Sequence, residues 1–253
     1  MKTQVAEARA GVNPAPTERL RVLDLGTVAY GEALALQHRL VEQRRDGDTP
    51  DTLVLLEHPP VVTVGRGGDG AGLLCSRREL ARRGIALFEV ERGGQTTYHG
   101  PGQLVCYPIL DLSALRKDLH WYLRSLEETI IRAVGRFGLN AIRREGLTGV
   151  WLPQGKLCAI GVAVRHWITF HGLALNVNGD LAAFALIDPC GLGEQGVTSM
   201  TATLGREVDM AEVREAVVQS FAEVFGFVLE AARHEESLEQ LGWPKRWNMS
   251  GGS

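Results

Sequence analysis

Apolar and polar positions alternate along residues 20–25, the period of a strand with one buried face. Residues 30–45 change to helical spacing, with Leu34, Leu36, Leu40 and Val41 apolar, and the polar turn Asp46-Gly47-Asp48 ends the run. Two short apolar runs, 53–56 and 61–64, read as strands. His58-Pro59-Pro60 divides them, because proline cannot donate to a strand ladder. Ser76 is placed to cap a short helix reaching Arg83 and stopped at Gly84. Residues 87–91 and 104–110 read as strands, and residues 121–137 as the clearest helix of the first half. Three β-like runs follow at 149–152, 157–164 and 168–175. A last helix covers 209–225, with Val213, Val217, Val218, Phe221 and Val224 at helical spacing. Strand-rich stretches mixed with helices, without strict βαβα alternation, predict an α+β fold.

A length of 253 residues suits one sizeable domain or two small ones. Residues 1–18, with Pro14-Ala15-Pro16 and mixed polar residues, are expected to be a flexible leader. Residues 19–230 are expected to form the single folded domain, and 231–253 a C-terminal extension and tail. A net charge of -3 argues against a general nucleic-acid binder, which needs a basic surface. No run approaches the roughly 20 apolar residues that span a bilayer, and the N-terminus lacks the apolar stretch of a secretory signal. The expectation is a cytoplasmic, monomeric protein without membrane or nucleic-acid partners. Cys75, Cys106, Cys158 and Cys190 are widely and irregularly spaced with no C-x-x-C pair, so neither a zinc site nor a disulfide framework is expected. No metal is expected.

Candidate chemistry begins in the stretch Arg92-Gly93-Gly94-Gln95-Thr96-Thr97-Tyr98-His99-Gly100-Pro101-Gly102-Gln103. Its glycines let a ligand lie close to the chain. Arg92 and the turn's amides are suited to a polar or anionic group. The stretch matches neither the P-loop nor the dinucleotide fingerprint, and a tight β-bulge and turn is the alternative. His99 and His171, each beside a glycine, read equally well as hydrogen-bonded structural residues, and His58 is given no role. Cys190 sits in Asp188-Pro189-Cys190-Gly191, where a rigid proline and a permissive glycine favour a sharp turn. A thiol there is a candidate nucleophile, and a buried loop cysteine is the alternative. An ordinary thiol is mostly protonated at neutral pH and needs a cation or base beside it. Lys156 opens the apolar run 157–162 and is the candidate, although by spacing alone an exposed turn lysine is the better reading.

Taken in series, these segments resemble the lipoyl(octanoyl) transferase family. The matching residues are Leu56-Glu57-His58-Pro59-Pro60, Arg92 to Gln95 with Tyr98 to Leu104, Tyr107 to Leu112, Gly155-Lys156 with Ala159-Ile160-Gly161, His171 to Asn176, and Pro189-Cys190-Gly191. Residues 20–230 carry the resemblance. Cys106 and Cys158 depart from it, standing where the family usually has a small residue.

The resemblance implies a single domain like the biotin and lipoate protein ligases, with a mixed sheet flanked by helices. It implies an acyl thioester on Cys190, with Lys156 lowering the thiol's pKa, and no cofactor. It implies substrate contacts from Arg92, Gly93, Gly94, Gln95, Thr96, Thr97, Tyr98 and His99, from Ala159, Ile160 and Gly161, and from Gly172, Leu173 and Ala174. The cleft is expected to be lined by apolar residues of 150–164 and 168–175. The implied donor is octanoyl-acyl carrier protein. The implied acceptors are the lipoyl domains of 2-oxoacid dehydrogenases and the glycine cleavage H protein. Arg77, Arg78, Arg82 and Arg83 are a candidate docking patch for the acidic carrier, and a solvated helix face is the alternative. Two rivals stay open: an ATP-dependent lipoate or biotin ligase of the same fold, which would not need Cys190, and a non-catalytic acyl-binding or scaffold protein.

Overall fold

A computed structural model describes residues 19–68, 72–188 and 196–230. The expected leader, the expected extension and Cys190 with Pro189 and Gly191 lie outside the described residues. Within them the chain begins with β1 (Arg19–Thr27), α1 (Tyr30–Asp46), β2 (Asp51–Glu57) and β3 (Val61–Val64). Next come α2 (Arg77–Arg82), β4 (Ala86–Glu89), β5 (Thr96–His99), β6 (Gln103–Ile109) and α3 (Leu119–Gly135). Then follow β7 (Ile142–Arg144), β8 (Leu147–Leu152), β9 (Gly155–Arg165), β10 (Ile168–Asn176) and a 3-10 helix (Leu181–Leu186). The last elements are α4 (Met200–Leu204), α5 (Met210–Phe225) and β11 (Val228–Leu229). Among the described residues no helix is long and apolar enough to cross a membrane.

Eight strands form one sheet in the order β11-β1-β2-β6-β10-β9-β8-β7, and β4-β3-β5 form a second. β1 pairs in parallel with β2 and β11, and the remaining pairs of the large sheet are antiparallel. The architecture is thus the mixed α+β sheet expected. The central strands are apolar at nearly every position because helices cover both faces. Leu53, Leu55, Leu104 and Cys106 point to the face packed by α3 and α5, with Tyr122, Leu126, Ile130 and Phe221. Val54, Leu56, Val105 and Tyr107 point to the other face, where α1 packs Leu36 and Leu40. Cys106 and Cys158 are both buried in the first of these cores, and burial pushes both thiols up, out of the reactive range.

The capping residues fix the helix starts. Asp118 accepts from the Trp121 N–H at 2.9 Å, so α3 begins two residues before the apolar pattern does. Asp209 caps α5 in the same way, and Ser76 caps α2. The glycine-rich stretch is not turn throughout: residues 96–99 form β5, paired with β3, because Thr96, Thr97 and Tyr98 favour an extended chain. The stretches forming β7, β11 and α4 carry no pattern long enough to read from sequence.

Candidate active site

Two glycines, one on each strand, let the turn and two strands come together. Gly161 of β9 faces Gly172 of β10 in the ladder. A Cβ on Gly161 would lie 2.8 Å from the Gly93 carbonyl oxygen and 3.2 Å from Arg92 Cδ. The bare position lets the Arg92-Gly93-Gly94 turn rest on β9, where the Gly93 N–H donates to the Val162 carbonyl at 2.9 Å. A Cβ on Gly172 would collide with the Cys106 carbonyl and lie 2.7 Å from Pro108 Cδ, so β10 meets β6 at a spacing only glycine allows. Arg92 binds the turn to β3. Its guanidinium donates to Thr63 O and Oγ1, both at 2.8 Å, and to Gly93 O at 3.0 Å. Much of its hydrogen-bonding capacity therefore holds the turn's shape, where the sequence had suggested a ligand's anion.

Between this turn and the two strands lies a cavity of about 400 Å³, within the ~300–1,000 Å³ of small-molecule sites. Arg92, Gly93, Gly94, Thr96, Thr97 and His99 line one side, and Ala159, Ile160, Gly161, Gly172, Leu173 and Ala174 another. Lys156 also lines it. Gln95 and Tyr98 do not: the Tyr98 ring turns into a separate apolar cluster with Val62, Leu80 and Ile187, 5.6 Å from the Phe184 ring. The lining is also narrower along the strands than expected. Val150, Leu157, Cys158 and Leu175 belong to the core beneath α3 and α5. Leu123 of α3, Leu147 and Thr148 of β8, Phe184 and Val197 also line the cavity. Nothing in the sequence flagged these residues, since only the topology brings them here.

A buried polar cluster borders the cavity, with His99, Gln103, Tyr107, His171 and Asn176 in its lining. His58 Nδ1 is 2.7 Å from the Val28 carbonyl, so it carries the proton, and Nε2 accepts from the Tyr107 hydroxyl at 2.7 Å. His99 Nδ1 lies 2.7 Å from Gln103 Oε1. Gln103 Nε2 donates to Asn176 Oδ1 at 2.8 Å, and Asn176 Nδ2 to the Thr198 carbonyl at 3.0 Å. His171 takes a left-handed backbone (φ 55°) inside β10, an uncommon conformation for a bulky residue, and its N–H donates to Gln37 Oε1 at 2.7 Å. Burial, which penalises the charged ring, lowers His58 and His171 to about 4 and His99 to about 3.

These histidines fold in the neutral form but titrate near 6.5 in the unfolded chain. Below pH 6.5 the unfolded state therefore binds more protons, and their contribution to stability, complete above that pH, is lost as pH falls toward 4. We expect the free energy of unfolding to drop between pH 6.5 and 5, by about 1.4 kcal/mol per pH unit for each proton taken up. Denaturant titrations across that range check this, and a flat profile would mean that the rings are charged in the folded protein.

The backbone of Lys156 is tied to the chain that re-enters after the undescribed stretch. Its N–H donates to Gly196 O at 3.2 Å, its carbonyl accepts from Thr198 N at 3.0 Å, and it bridges Val197 in parallel. Nζ lies 4.8 Å from the centroid of the Trp151 ring, whose face attracts a cation. A Cβ on Gly149 would lie 2.7 Å from the Cys158 carbonyl oxygen, so glycine there lets β8 and β9 approach closely beside Lys156. On α2, Arg77 pairs with Glu89 at 2.7 Å, and Arg82 and Arg83 with Glu79 at 2.7 and 2.6 Å. Three of the four arginines of the expected docking patch thus face a neighbouring carboxylate, which weakens the patch as a cationic surface.

The family model of the lipoyl protein ligase A/B catalytic domain matches residues 29–222. An octanoyltransferase of Rubrobacter xylanophilus is 50% identical over 215 residues, covering 83% of this chain and 96% of that one. The chain belongs to the octanoyltransferases of the lipoyl protein ligase A/B family. The octanoyltransferase of Thermoanaerobacter sp. is 48% identical, covering 81% of this chain and 90% of its own. That of Geotalea uraniireducens is 46% identical over 88% of this chain and all of its own. Among solved structures, lipoate-protein ligase A bound with ATP superposes with a TM-score of 0.66 at 19% identity, covering 92% of this chain and 96% of that one. The bi-partite lipoate protein ligase of Thermoplasma acidophilum, described with its E2 lipoyl domain, gives 0.66 at 20% identity, covering 92% and 94%. This octanoyltransferase therefore has the lipoate-ligase fold. Among its described residues, no group of three or more His, Cys, Asp or Glu side chains is placed to hold a metal ion.

Proposed function

We propose that this octanoyltransferase takes its octanoyl group from acyl carrier protein and delivers it to a specific lysine of lipoyl domains, through a thioester on Cys190. The acceptors are the lipoyl domains of 2-oxoacid dehydrogenases and the glycine cleavage H protein. In the first step Lys156 Nζ takes the thiol proton, Sγ bonds to the thioester carbonyl carbon, and the carrier's sulfur leaves with the proton from Lys156. In the second, the acceptor amine attacks the acyl carbon and loses a proton to Lys156, and Cys190 sulfur leaves and is reprotonated. The sum is one amide formed and one carrier thiol released, without oxidant, reductant or nucleotide.

One observation carries this reading. Lys156 and its bridge partner Val197 both line the cavity, and Val197 stands seven positions after Cys190 in the chain. The wall of Ala159, Ile160, Leu173 and Ala174 suits an alkyl chain, whose burial is worth ~0.8 kcal/mol per methylene.

The test is an acyl-transfer assay with octanoyl-acyl carrier protein and an apo lipoyl domain, beside one with free octanoate and ATP. Amide formation from the carrier thioester without ATP is expected. Transfer that requires free acid and ATP would place the chain with the ligases.

A further inference from the structure

His99, Gln103, Asn176 and Thr198 form one directed chain of hydrogen bonds, and backbone carbonyls fix its direction. A carbonyl can only accept, so the Asn176 nitrogen is the atom facing Thr198 O at 3.0 Å. Asn176 Oδ1 then faces Gln103 Nε2 at 2.8 Å, and the same nitrogen reaches Tyr98 O at 3.3 Å. Both amides are thereby oriented without choice. Gln103 Oε1 is left to face His99 Nδ1 at 2.7 Å, so that ring nitrogen must carry the proton. On a neutral ring the other nitrogen, Nε2, keeps its lone pair. The His99 ring lines the cavity, and among the described residues no hydrogen bond reaches Nε2.

We propose that His99 Nε2 accepts a hydrogen bond from an N–H group of the substrate, and that Gln103 and Asn176 are positioning residues that hold His99 in the tautomer able to do so. This rests on the acyl-transfer reading above, which supplies two sources of such a group: the amine of the acceptor lysine and an amide of the carrier's acyl-bearing arm. The surroundings favour an uncharged acceptor over a proton donor. Burial is the largest influence keeping the ring neutral, and His58, Arg92 and His171 add to it electrostatically. Tyr30 stacks on the ring at 6.1 Å and brings no charge at neutral pH. Against these, the Gln103 hydrogen bond alone favours the charged ring.

The inference makes Gln103→Glu informative. A carboxylate beside Nδ1–H stabilises the imidazolium, so Nε2 becomes protonated and can no longer accept. The experiment combines long-range ¹H–¹⁵N spectra of the histidines with rates measured from pH 5 to 9. In the unaltered enzyme, His99 should appear as the Nδ1–H tautomer throughout. In Gln103→Glu its midpoint should rise above pH 5, into that range, and the transfer rate should fall on the acid side with that same midpoint. His99→Gln, which can donate to Gln103 and still present an oxygen, should keep the rate within about tenfold, whereas His99→Leu should lose more than a hundredfold.

Single turnovers separate the sources. A slowed loading of Cys190 assigns the N–H to the carrier's arm, and a slowed discharge to amine assigns it to the acceptor lysine. An Nε2–H tautomer in the unaltered enzyme, or a His99→Leu variant as fast as His99→Gln, would overturn the inference. If Cys190 never acquires an acyl group, the thioester reading fails by itself. The spectra, and the comparison of His99→Gln with His99→Leu on overall transfer, still decide the role of His99.

Discussion

Cys190→Ser is expected to remove octanoyl transfer to background, a loss of at least a thousandfold, because an alcohol at neutral pH supplies almost no anion where a thiol supplies some. Lys156→Ala is expected to cost about a hundred- to a thousandfold in the rate constant, the range of a general base. The structure makes this second variant clean. The bonds of Lys156 to Gly196 and Thr198 use only backbone atoms, so alanine keeps the bridge to the re-entering chain while removing the amine and its contact with Trp151. Lys156→Arg separates charge from proton transfer. A guanidinium retains the cation and can still lie on Trp151, but it does not give up a proton at any pH the protein survives. If the lysine acted only by holding a charge, arginine would restore most of the rate. The account expects little recovery, read from initial rates with octanoyl-acyl carrier protein and an apo lipoyl domain.

The second large effect is on stability. Gly172→Ala is expected to destabilise the protein by about 3 kcal/mol or more, the upper range of overpacking in a tight core. The new methyl would meet the Cys106 carbonyl and Pro108, both in β6. That strand cannot retreat, because it is paired with β2 on its other edge. For a domain of this size the shift corresponds to a melting temperature lower by about 6–12 °C. Gly135→Ala is the internal control. A Cβ there meets nothing within 4 Å at the end of α3, so replacing a poor helix former should leave stability unchanged or raise it by up to about 1 kcal/mol. Thermal melts of both proteins are the check. Equal melting temperatures would mean that β6 and β10 can separate without cost.

Features carried by local pattern were legible in the sequence. α1 and α5 followed from helical spacing between polar punctuation, and α5 ends at Phe225 as its pattern indicates. The apolar central strands followed as well, although their two buried faces hid which residues look toward the cavity. Val150 and Cys158 were expected in its wall and instead pack beneath α3 and α5. Cys158 has the same parity as Lys156 and Ile160, which do line the cavity, so position along the strand decides the lining, and no periodicity in the sequence reports it. His58 could be given no role from the sequence. Its partners Val28 and Tyr107 lie 30 and 49 positions away, and only the sheet unites them. The pair Gln103 and Asn176 is separated by 73 positions, and its meaning depends on the register of β6 against β10. Arg92 was legible as important but not in its role: in sequence it is a cation in a ligand-binding turn, while in the fold its guanidinium ties that turn to β3.

Intact-protein mass spectrometry after mixing the enzyme with octanoyl-acyl carrier protein, without acceptor, tests the central claim most directly. The account predicts a mass increase of one octanoyl group, mapped to the peptide containing Cys190, removed by hydroxylamine and by added lipoyl domain, and missing in Cys190→Ser. An unmodified enzyme that still acylates the lipoyl domain, or an adduct on any other residue, would contradict it.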